Sequence, residues 1–356
     1  MIGRRFGAID LALIAAALIV QLMPIDGAWI ESSYANGIYA ALERTFVPLS
    51  NRLPFTLGDV LLVGIIAGVI TLWIVRLRVA RGRRWRTLLE LLVRTLAIAA
   101  FVALWFDMAW ALNYRRAPII ARVAYDDARL TPANVTAFSR RIIADLNATA
   151  PRAHAEVESS RAMQIALAAA FEPVVSRLGD RWNVIVTRPK ATILDRWFAT
   201  AGIGGQWDPF AYETIVNTEF LPFELPFALA HEWGHAAGFG DESDANLIGA
   251  LTTLRSPDPL IHYSGLFWTY GFLPDADRKR FPISAQVAAD ITAARARFLR
   301  HYNPNVYALQ WYVYDRFLKS NRVTTGVVGY SLFVRTLVGT PLDERGLPMT
   351  LAEKIK

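Results

Sequence analysis

The chain of 356 residues contains no cysteine and only five histidines. The lack of cysteine excludes disulfide bridges, thiolate metal sites and cysteine nucleophiles, because each of these needs a sulfur atom. The sequence also has no GxSxG motif, no P-loop and no dinucleotide-binding fingerprint, which argues against the common hydrolase and nucleotide-binding folds. Any catalysis is therefore expected from histidine, carboxylate or tyrosine side chains.

Charged residues are scarce as well. Only 19% of the chain is charged and 54% is hydrophobic, against roughly 45–50% apolar residues in an ordinary soluble domain. Residues 1–116 hold 13 arginines, no lysine and 7 acidic residues, whereas residues 117–356 hold 25 basic and 24 acidic residues. The net charge of +7 thus belongs mainly to the apolar third of the chain, and we expect no nucleic-acid partner.

Three apolar stretches are long enough to cross a bilayer, which takes roughly 20 helical residues. They cover about residues 8–23, 57–77 and 88–112. A signal peptide is the alternative for the first, but no small-x-small cleavage site follows it directly. Six arginines and no acidic residue lie between the second and third stretches, at 76–86, and the positive-inside rule makes this loop cytoplasmic. The sequence predicts a cell (inner) membrane protein, with a bilayer-embedded anchor over 1–116 and an extracytoplasmic domain over 117–356.

The predicted fold class is α+β, with three N-terminal transmembrane helices followed by a mostly helical domain. Capping and turn residues predict two strands, at 182–189 and 213–220, and a short helix on the outer membrane surface at 33–46. The remaining predicted helices cover residues 131–148, 160–178, 284–302, 308–320 and 326–338.

His231, Glu232 and His235 form an HExxH motif. Two histidines four residues apart lie on one face of a helix, so both imidazoles can bind one zinc ion. Glu232 would lie beside them as the base that takes a proton from a water at the metal. The strand at 213–220 would be an edge strand that binds an extended peptide. The motif predicts a zinc-dependent hydrolase with a zincin-like fold.

A catalytic zinc ion usually has a third protein ligand. On a straight helix, Glu242 would lie about 16 Å along the axis from His231, much farther than a zinc ligand can reach. The chain must therefore turn back, and Gly238 and Gly240 permit such a turn. Three carboxylates follow the motif closely enough to be considered, namely Asp241, Glu242 and Asp244.

Two spacings favour different ligands. HExxHxxGxxD resembles the metzincin pattern, with Asp241 as the third ligand. The ExxxN spacing from Glu242 to Asn246 resembles the ExxxD of gluzincin proteases, in which the glutamate binds zinc and the later residue supports it. We favour Glu242 as ligand with Asn246 behind it, and keep Asp241 and Asp244 as alternatives.

Further polar residues lie downstream of the motif. Tyr263 follows a proline-rich loop and is a candidate for stabilising an oxyanion. His262 is expected to be a structural histidine. Tyr314, Asp315 and Lys319 fall on one helical turn and are predicted to form a surface cluster.

The chain resembles a group of bacterial multi-pass membrane proteins of unknown function that are regarded as zinc metallopeptidases. The resemblance implies a zinc site in which Glu242 and Asn246 occupy the family's glutamate and asparagine positions. Directly before the YSG segment, this chain has His262 where the resemblance implies an arginine. The segments that carry the resemblance are ALNYRR, DPFAYETIVN, LPFALAHEWGHAAGFGDESDAN, HYSG, YDRFLKSN and GVVGYS.

These observations predict a membrane-anchored peptidase that uses one Zn²⁺ ion and acts on a peptide or protein substrate outside the cytoplasm. A cell-wall amidase is a close variant, since hydrolysis of either amide needs the same groups. The alternative from another class is a non-catalytic envelope scaffold or assembly factor with a structural metal site. A base at Glu232 favours catalysis, because a structural site does not use one.

Overall fold

The computed structural model describes residues 2–80, 84–155, 160–179, 184–323 and 332–354. In the described part of the N-terminal third, all the secondary-structure elements are helices. A ten-residue π-helix, Ile30–Tyr39, lies between α2 and α3. The α-helices are α1 (Ile2–Leu22), α2 (Gly27–Trp29), α3 (Ala40–Arg52), α4 (Leu57–Val79) and α5 (Arg84–Ala109).

Two of these helices, α4 and α5, are long and apolar enough to cross a membrane. A third span results only if Gly7–Leu22 and Gly27–Arg52, which meet at an angle of 106°, are counted together. The most apolar stretch of α4 contains no residue that is buried within the protein, so lipid would cover it. The chain therefore has the helices of a membrane protein, and the second and third predicted spans match α4 and α5.

The segment between α1 and α4 is helical, as predicted for 33–46, and one side of it is buried in the protein. Tyr34 and Tyr39 on the π-helix are fully buried, together with Val47 on α3. The i to i+5 repeat of a π-helix brings two tyrosines five residues apart to the same face. They share one hydrophobic cluster with Trp207 and Tyr212 from the later part of the chain. Residues on both sides of the predicted boundary at 116 thus form one core.

The rest of the chain is mostly helical with a small sheet. Three 3₁₀ turns follow α5, at Ala111–Arg115, Ile119–Ala121 and Asp127–Arg129. The remaining helices are α6 (Pro132–Ala155), α7 (Ser160–Arg177), α8 (Asp195–Ala201), α9 (Leu225–Ala236), α10 (Glu242–Leu254), α11 (Pro259–Gly271), α12 (Asp275–Arg280), α13 (Ala285–Leu299), α14 (Pro304–Ser320), α15 (Leu332–Gly339) and α16 (Leu351–Lys354). The strands are β1 (Pro189–Lys190), β2 (Gly205–Asp208) and β3 (Glu213–Val216).

Most predicted helices are present, although the start of the one at 326–338 lies outside the described residues. The prediction of a strand at 182–189 is wrong for residues 184–188. Only its last residue, Pro189, is in a strand, because β1 begins there. The backbone groups of this segment form hydrogen bonds with side chains instead of with another strand. Asn51 donates to the Val186 carbonyl (3.2 Å) and accepts from the Arg188 N–H (3.0 Å), and Trp233 donates to the Thr187 carbonyl. These bonds replace a sheet ladder.

The sheet has the order β1-β3-β2. β1 runs parallel to β3 and β2 runs antiparallel to it. All four residues of β3 are buried, because it is the central strand. The prediction that this segment is an edge strand is therefore wrong, and β2 is the edge strand beside the HExxH helix.

A buried ion pair joins the sheet to the start of α4. Lys190 on β1 donates to the Glu213 carboxylate on β3, with side-chain exposures of only 3% and 0%. Glu213 also accepts from the backbone N–H groups of Leu57 (3.0 Å) and Gly58 (3.2 Å), the first residues of α4. A carboxylate at this end satisfies free N–H groups and favours the helix dipole. The sheet thereby caps a membrane-crossing helix.

Truncating this carboxylate would leave the Lys190 charge buried without its counter-ion. We expect Glu213→Ala to lower the free energy of unfolding by about 3–5 kcal/mol. Thermal unfolding of the full chain in detergent measures the effect. Glu344→Ala, at an exposed position, is the control and should stay within about 0.5 kcal/mol. The pair Lys190→Met with Glu213→Gln should lose less than Glu213→Ala, and an equal or larger loss would contradict the role given to the buried charge.

Candidate metal centre

The HExxH helix α9 begins with Pro226 in its first turn and is buried along most of its length. A proline fits there because the first N–H groups of a helix have no partner within it. The helix ends where Gly238 takes a positive φ of 82°, and the Phe239 N–H then bonds back to the Gly234 carbonyl (3.1 Å). This turn reverses the chain, as the sequence required.

The carbonyl groups at the end of α9 are bonded by the N-terminal third of the chain. Trp110, next to the end of α5, donates its indole N–H to the His235 carbonyl (3.0 Å). The Tyr39 hydroxyl donates to the Ala236 carbonyl, and Arg116 donates to the next one. These contacts hold the histidine-bearing helix directly beside the exit of a membrane-crossing helix.

The reversed chain packs α10 closely against α9. A Cβ atom on Gly234 would lie 3.3 Å from the Ala245 Cα, so a larger residue would push the two helices apart. Glycine inside a helix costs about 1 kcal/mol relative to alanine. The close approach of α10 explains why glycine is present at position 234 despite this cost.

His231, His235 and Glu242 meet at this helix pair. Their potential ligand atoms all lie within 4.8 Å of one another. The Glu242 Oε2 atom is 3.2 Å from the His231 Nε2 atom and 3.4 Å from the His235 Nε2 atom. Glu242 and His235 are buried, and His231 is partly exposed. In the described part of the chain, this is the group of three histidine or carboxylate residues that has the spacing of a metal site.

Hydrogen bonds behind the two imidazoles orient their Nε2 atoms. The His231 Nδ1 atom lies 2.8 Å from the Asn246 Oδ1 atom, and the His235 Nδ1 atom lies 2.8 Å from the Phe239 carbonyl oxygen. Each Nδ1 therefore donates a proton to an oxygen, which turns each Nε2 atom towards Glu242. Metal-binding histidines show this arrangement. Together with the buried Glu242 Oε2 atom, which has no hydrogen bond of good geometry among the described residues, the donor set fits a zinc ion.

Glu232 is buried on the side of α9 that faces β2. A Cβ atom on Gly205 would lie 2.6 Å from the Glu232 Oε1 atom, so the strand makes room for the carboxylate by having glycine there. Burial raises the pKa of Glu232, and the charges of His231 and His235 oppose the rise. A carboxyl group with a raised pKa is suited to exchange a proton near neutral pH.

The two alternative ligands have other partners. Asp241 caps α10 by accepting from the Ser243 N–H (2.8 Å). Asp244 accepts from the Ile119 N–H (3.0 Å), and burial, helped by the Asp241 charge, raises its pKa to about 7. Neither belongs to the group of converging ligand atoms.

Tyr263 lies within α11 and not in a loop. It is fully buried, and its hydroxyl donates to Asp290, which also contacts His154. These contacts do not include the histidines or glutamates of the HExxH region. The structure therefore does not bring Tyr263 to the predicted site.

The neighbouring residue, His262, lines a cavity of about 270 Å³ together with Arg141 and other residues.

Another tyrosine reaches the site. The Tyr314 hydroxyl on α14 donates to the Glu242 Oε1 atom. The predicted surface cluster is wrong for Tyr314, which turns inward, whereas Lys319 and Asp315 pair beside it at 2.7 Å. The available signal was the aromatic spacing of Tyr307, Trp311 and Tyr314, since residues at i, i+4 and i+7 share a helix face.

The choice of third ligand can be tested with conservative amide variants. We expect Glu242→Gln to weaken zinc binding by more than about 100-fold, because losing even a supporting partner costs about 10- to 100-fold. Competition with a chromophoric chelator measures the affinity of the full chain in detergent. Asp241→Asn and Asp244→Asn are matched controls, and both should bind zinc as the parent does. Equal weakening in either control would argue against Glu242.

The hydroxyl of Tyr314 is expected to orient Glu242 for metal binding. Tyr314→Phe removes only the hydroxyl group and should lower zinc affinity about tenfold. The same chelator competition applies, with unchanged thermal unfolding as evidence of an intact fold. Tyr312→Phe is the control, because that side chain is 59% exposed on the same helix. An unchanged affinity in Tyr314→Phe would show that the hydroxyl does not support the ligand.

Comparison with known proteins adds one assignment. The family DUF3810, described as proteins of unknown function, matches residues 34–338. No curated protein and no solved structure matches the chain. The match covers most of the described helices and includes α9, α10 and α14, which carry the converging side chains. The chain belongs to the DUF3810 family.

Proposed function

We propose that the protein is a membrane-anchored, zinc-dependent peptidase with a zincin-like active site on the extracytoplasmic side. The observation that carries the proposal is the convergence of His231, His235 and Glu242, with both Nδ1 atoms already bonded to oxygens. Glu232 follows His231 directly and lies buried between the histidine helix and β2. Ligands and base together form the side-chain set of metal-assisted amide hydrolysis.

The three ligand residues would hold one zinc ion, and Asn246 and Tyr314 would orient them from behind. A zinc ion bound there would polarise a scissile carbonyl and lower the pKa of a water molecule. Glu232 would take the proton from the attacking water and pass it to the leaving amine. Its buried position keeps it close to the histidines and excludes competing water.

An extended peptide is the substrate shape that suits the site. β2 is an edge strand, and Gly205 at its start lies against Glu232. A substrate strand added beside β2 would receive backbone hydrogen bonds and present its amide next to the base. A cell-wall peptide bond would be hydrolysed by the same groups.

The arginine-rich loop supports the proposed orientation. It connects the end of α4 to the start of α5, so the opposite ends of both helices lie on the side of the metal centre. Six arginines at residues 76–86 retain this loop in the cytoplasm. The metal centre would then face away from the cytoplasm.

Replacing the base separates catalysis from metal binding. We expect Glu232→Gln to reduce amide hydrolysis by about 10²- to 10⁴-fold, since the amide cannot accept the proton. Zinc content by metal analysis should remain one ion per chain. Cleavage is measured by labelling new amino termini in the membrane fraction of cells that express the parent or the variant.

Glu219→Gln is the matched control, because Glu219 pairs with His301 and not with the metal residues. It should leave both zinc content and new termini unchanged. A parent protein that binds no divalent metal, or a Glu232→Gln variant that releases the same termini as the parent, would contradict the peptidase. Full metal binding without any cleavage would favour the scaffold alternative.

A further inference from the structure

Helix α14 has two apolar faces. Its inner face carries Tyr307, Trp311 and Tyr314, which are in ring contact with one another in turn. Its outer face exposes Leu309, Tyr312 and Val313 by 60%, 59% and 53%. Single exposed apolar side chains are common on soluble proteins, but a helix face of this kind calls for a partner.

This outer face continues into a membrane-crossing helix. Phe317, in the last turn of α14, lies 6.0 Å from Phe106 of α5 between ring centroids. Phe106 also stacks on the exposed Phe210 at 5.8 Å. The apolar surface of α14 is therefore connected to the domain end of α5.

The neighbouring helix α8 extends the same surface to α4. Ile193, two residues before α8, is 66% exposed, and Trp197 on α8 is 42% exposed. Asp59, in the first turn of α4, accepts from the Ile193 N–H (2.9 Å) and from the Thr192 hydroxyl (2.7 Å). Helix α8 also packs against α14. The exposed apolar residues thus run from the start of one membrane-crossing helix to the end of the other.

We define the interfacial face by its six exposed apolar residues, Ile193, Trp197, Phe210, Leu309, Tyr312 and Val313. We propose that this face lies in the headgroup and upper acyl region of the leaflet where α4 begins and α5 ends. Tryptophan and tyrosine are enriched at that depth, and an arginine beside them can reach lipid phosphates. Arg316 stacks over the Tyr312 ring at 5.3 Å and supplies such a cation.

The position has a consequence for substrates, which rests on the proposed peptidase function. The same helix places its outer face in the bilayer surface and its Tyr314 hydroxyl on Glu242. The metal centre would then lie within about one helix diameter, roughly 10 Å, of the lipid surface. Its substrate class would be polypeptide held at the membrane, such as the segment that follows a transmembrane helix.

The absence of cysteine makes the interfacial face directly testable. A single nitroxide spin label is attached at Leu309→Cys or Val313→Cys in the full chain, reconstituted in phosphatidylethanolamine–phosphatidylglycerol vesicles. Collision with oxygen, which concentrates in the bilayer, is compared with collision with a water-soluble nickel chelate. The matched control is Ile165→Cys on α7, an apolar side chain that is 64% exposed.

We expect labels at 309 and 313 to collide more with oxygen than with nickel, and the label at 165 to show the opposite preference. Labels at 309 and 313 that are as open to nickel as the one at 165 would overturn the proposal. Dipolar broadening between labels of neighbouring copies, without an oxygen preference, would assign the face to a second chain and overturn it too. If either variant fails to reconstitute, Ile193→Cys tests the same surface. Zinc binding in the parent is measured separately, so failure here leaves the metal-centre proposal standing.

Discussion

The candidate site depends on how closely α9 and α10 approach each other. Gly234 on α9 allows the Ala245 backbone to come near, because a Cβ atom at position 234 would lie only 3.3 Å from the Ala245 Cα atom. A side chain at Gly234 would push the two helices apart. A few tenths of an ångström matter, because a zinc ligand must reach the ion within about 2.0–2.2 Å. The missing side chain at Gly234 thus allows Glu242 to face both histidines.

The membrane part of the chain supports this site as part of the same core. The carbonyl groups at the end of α9 have no partners within the helix. Tyr39, Trp110 and Arg116 supply their hydrogen bonds from segments that lie before and after the membrane-crossing pair. On the same side of these two helices, Glu213 accepts from the first N–H group of α4. The candidate metal site and the apolar helices are therefore positioned by shared contacts, and neither is an appendage of the other.

Much of the helical fold follows from local signals. The spans now seen as α4 and α5, and helices such as α6 and α7, were predicted from apolar length, caps and glycine stops. The strand at 182–189 failed because Asn51 and Trp233, both distant in sequence, occupy its backbone groups. The helix predicted at 33–46 is present, but it begins as a π-helix, which turns Tyr34 and Tyr39 inward.

The sequence alone determined the chemistry that the site offers. The i, i+4 spacing places His231 and His235 on one helix face, and the ExxxN spacing places Glu242 and Asn246 on one face of the next helix. Only the tertiary structure decided which acid faces the histidines, because Asp241, Glu242 and Asp244 are near neighbours whose directions depend on where α10 begins. It also replaced Tyr263 with Tyr314 as the nearby tyrosine. That choice depends on how α11 and α14 pack around α9 and α10, and packing between distant helices has no local signature.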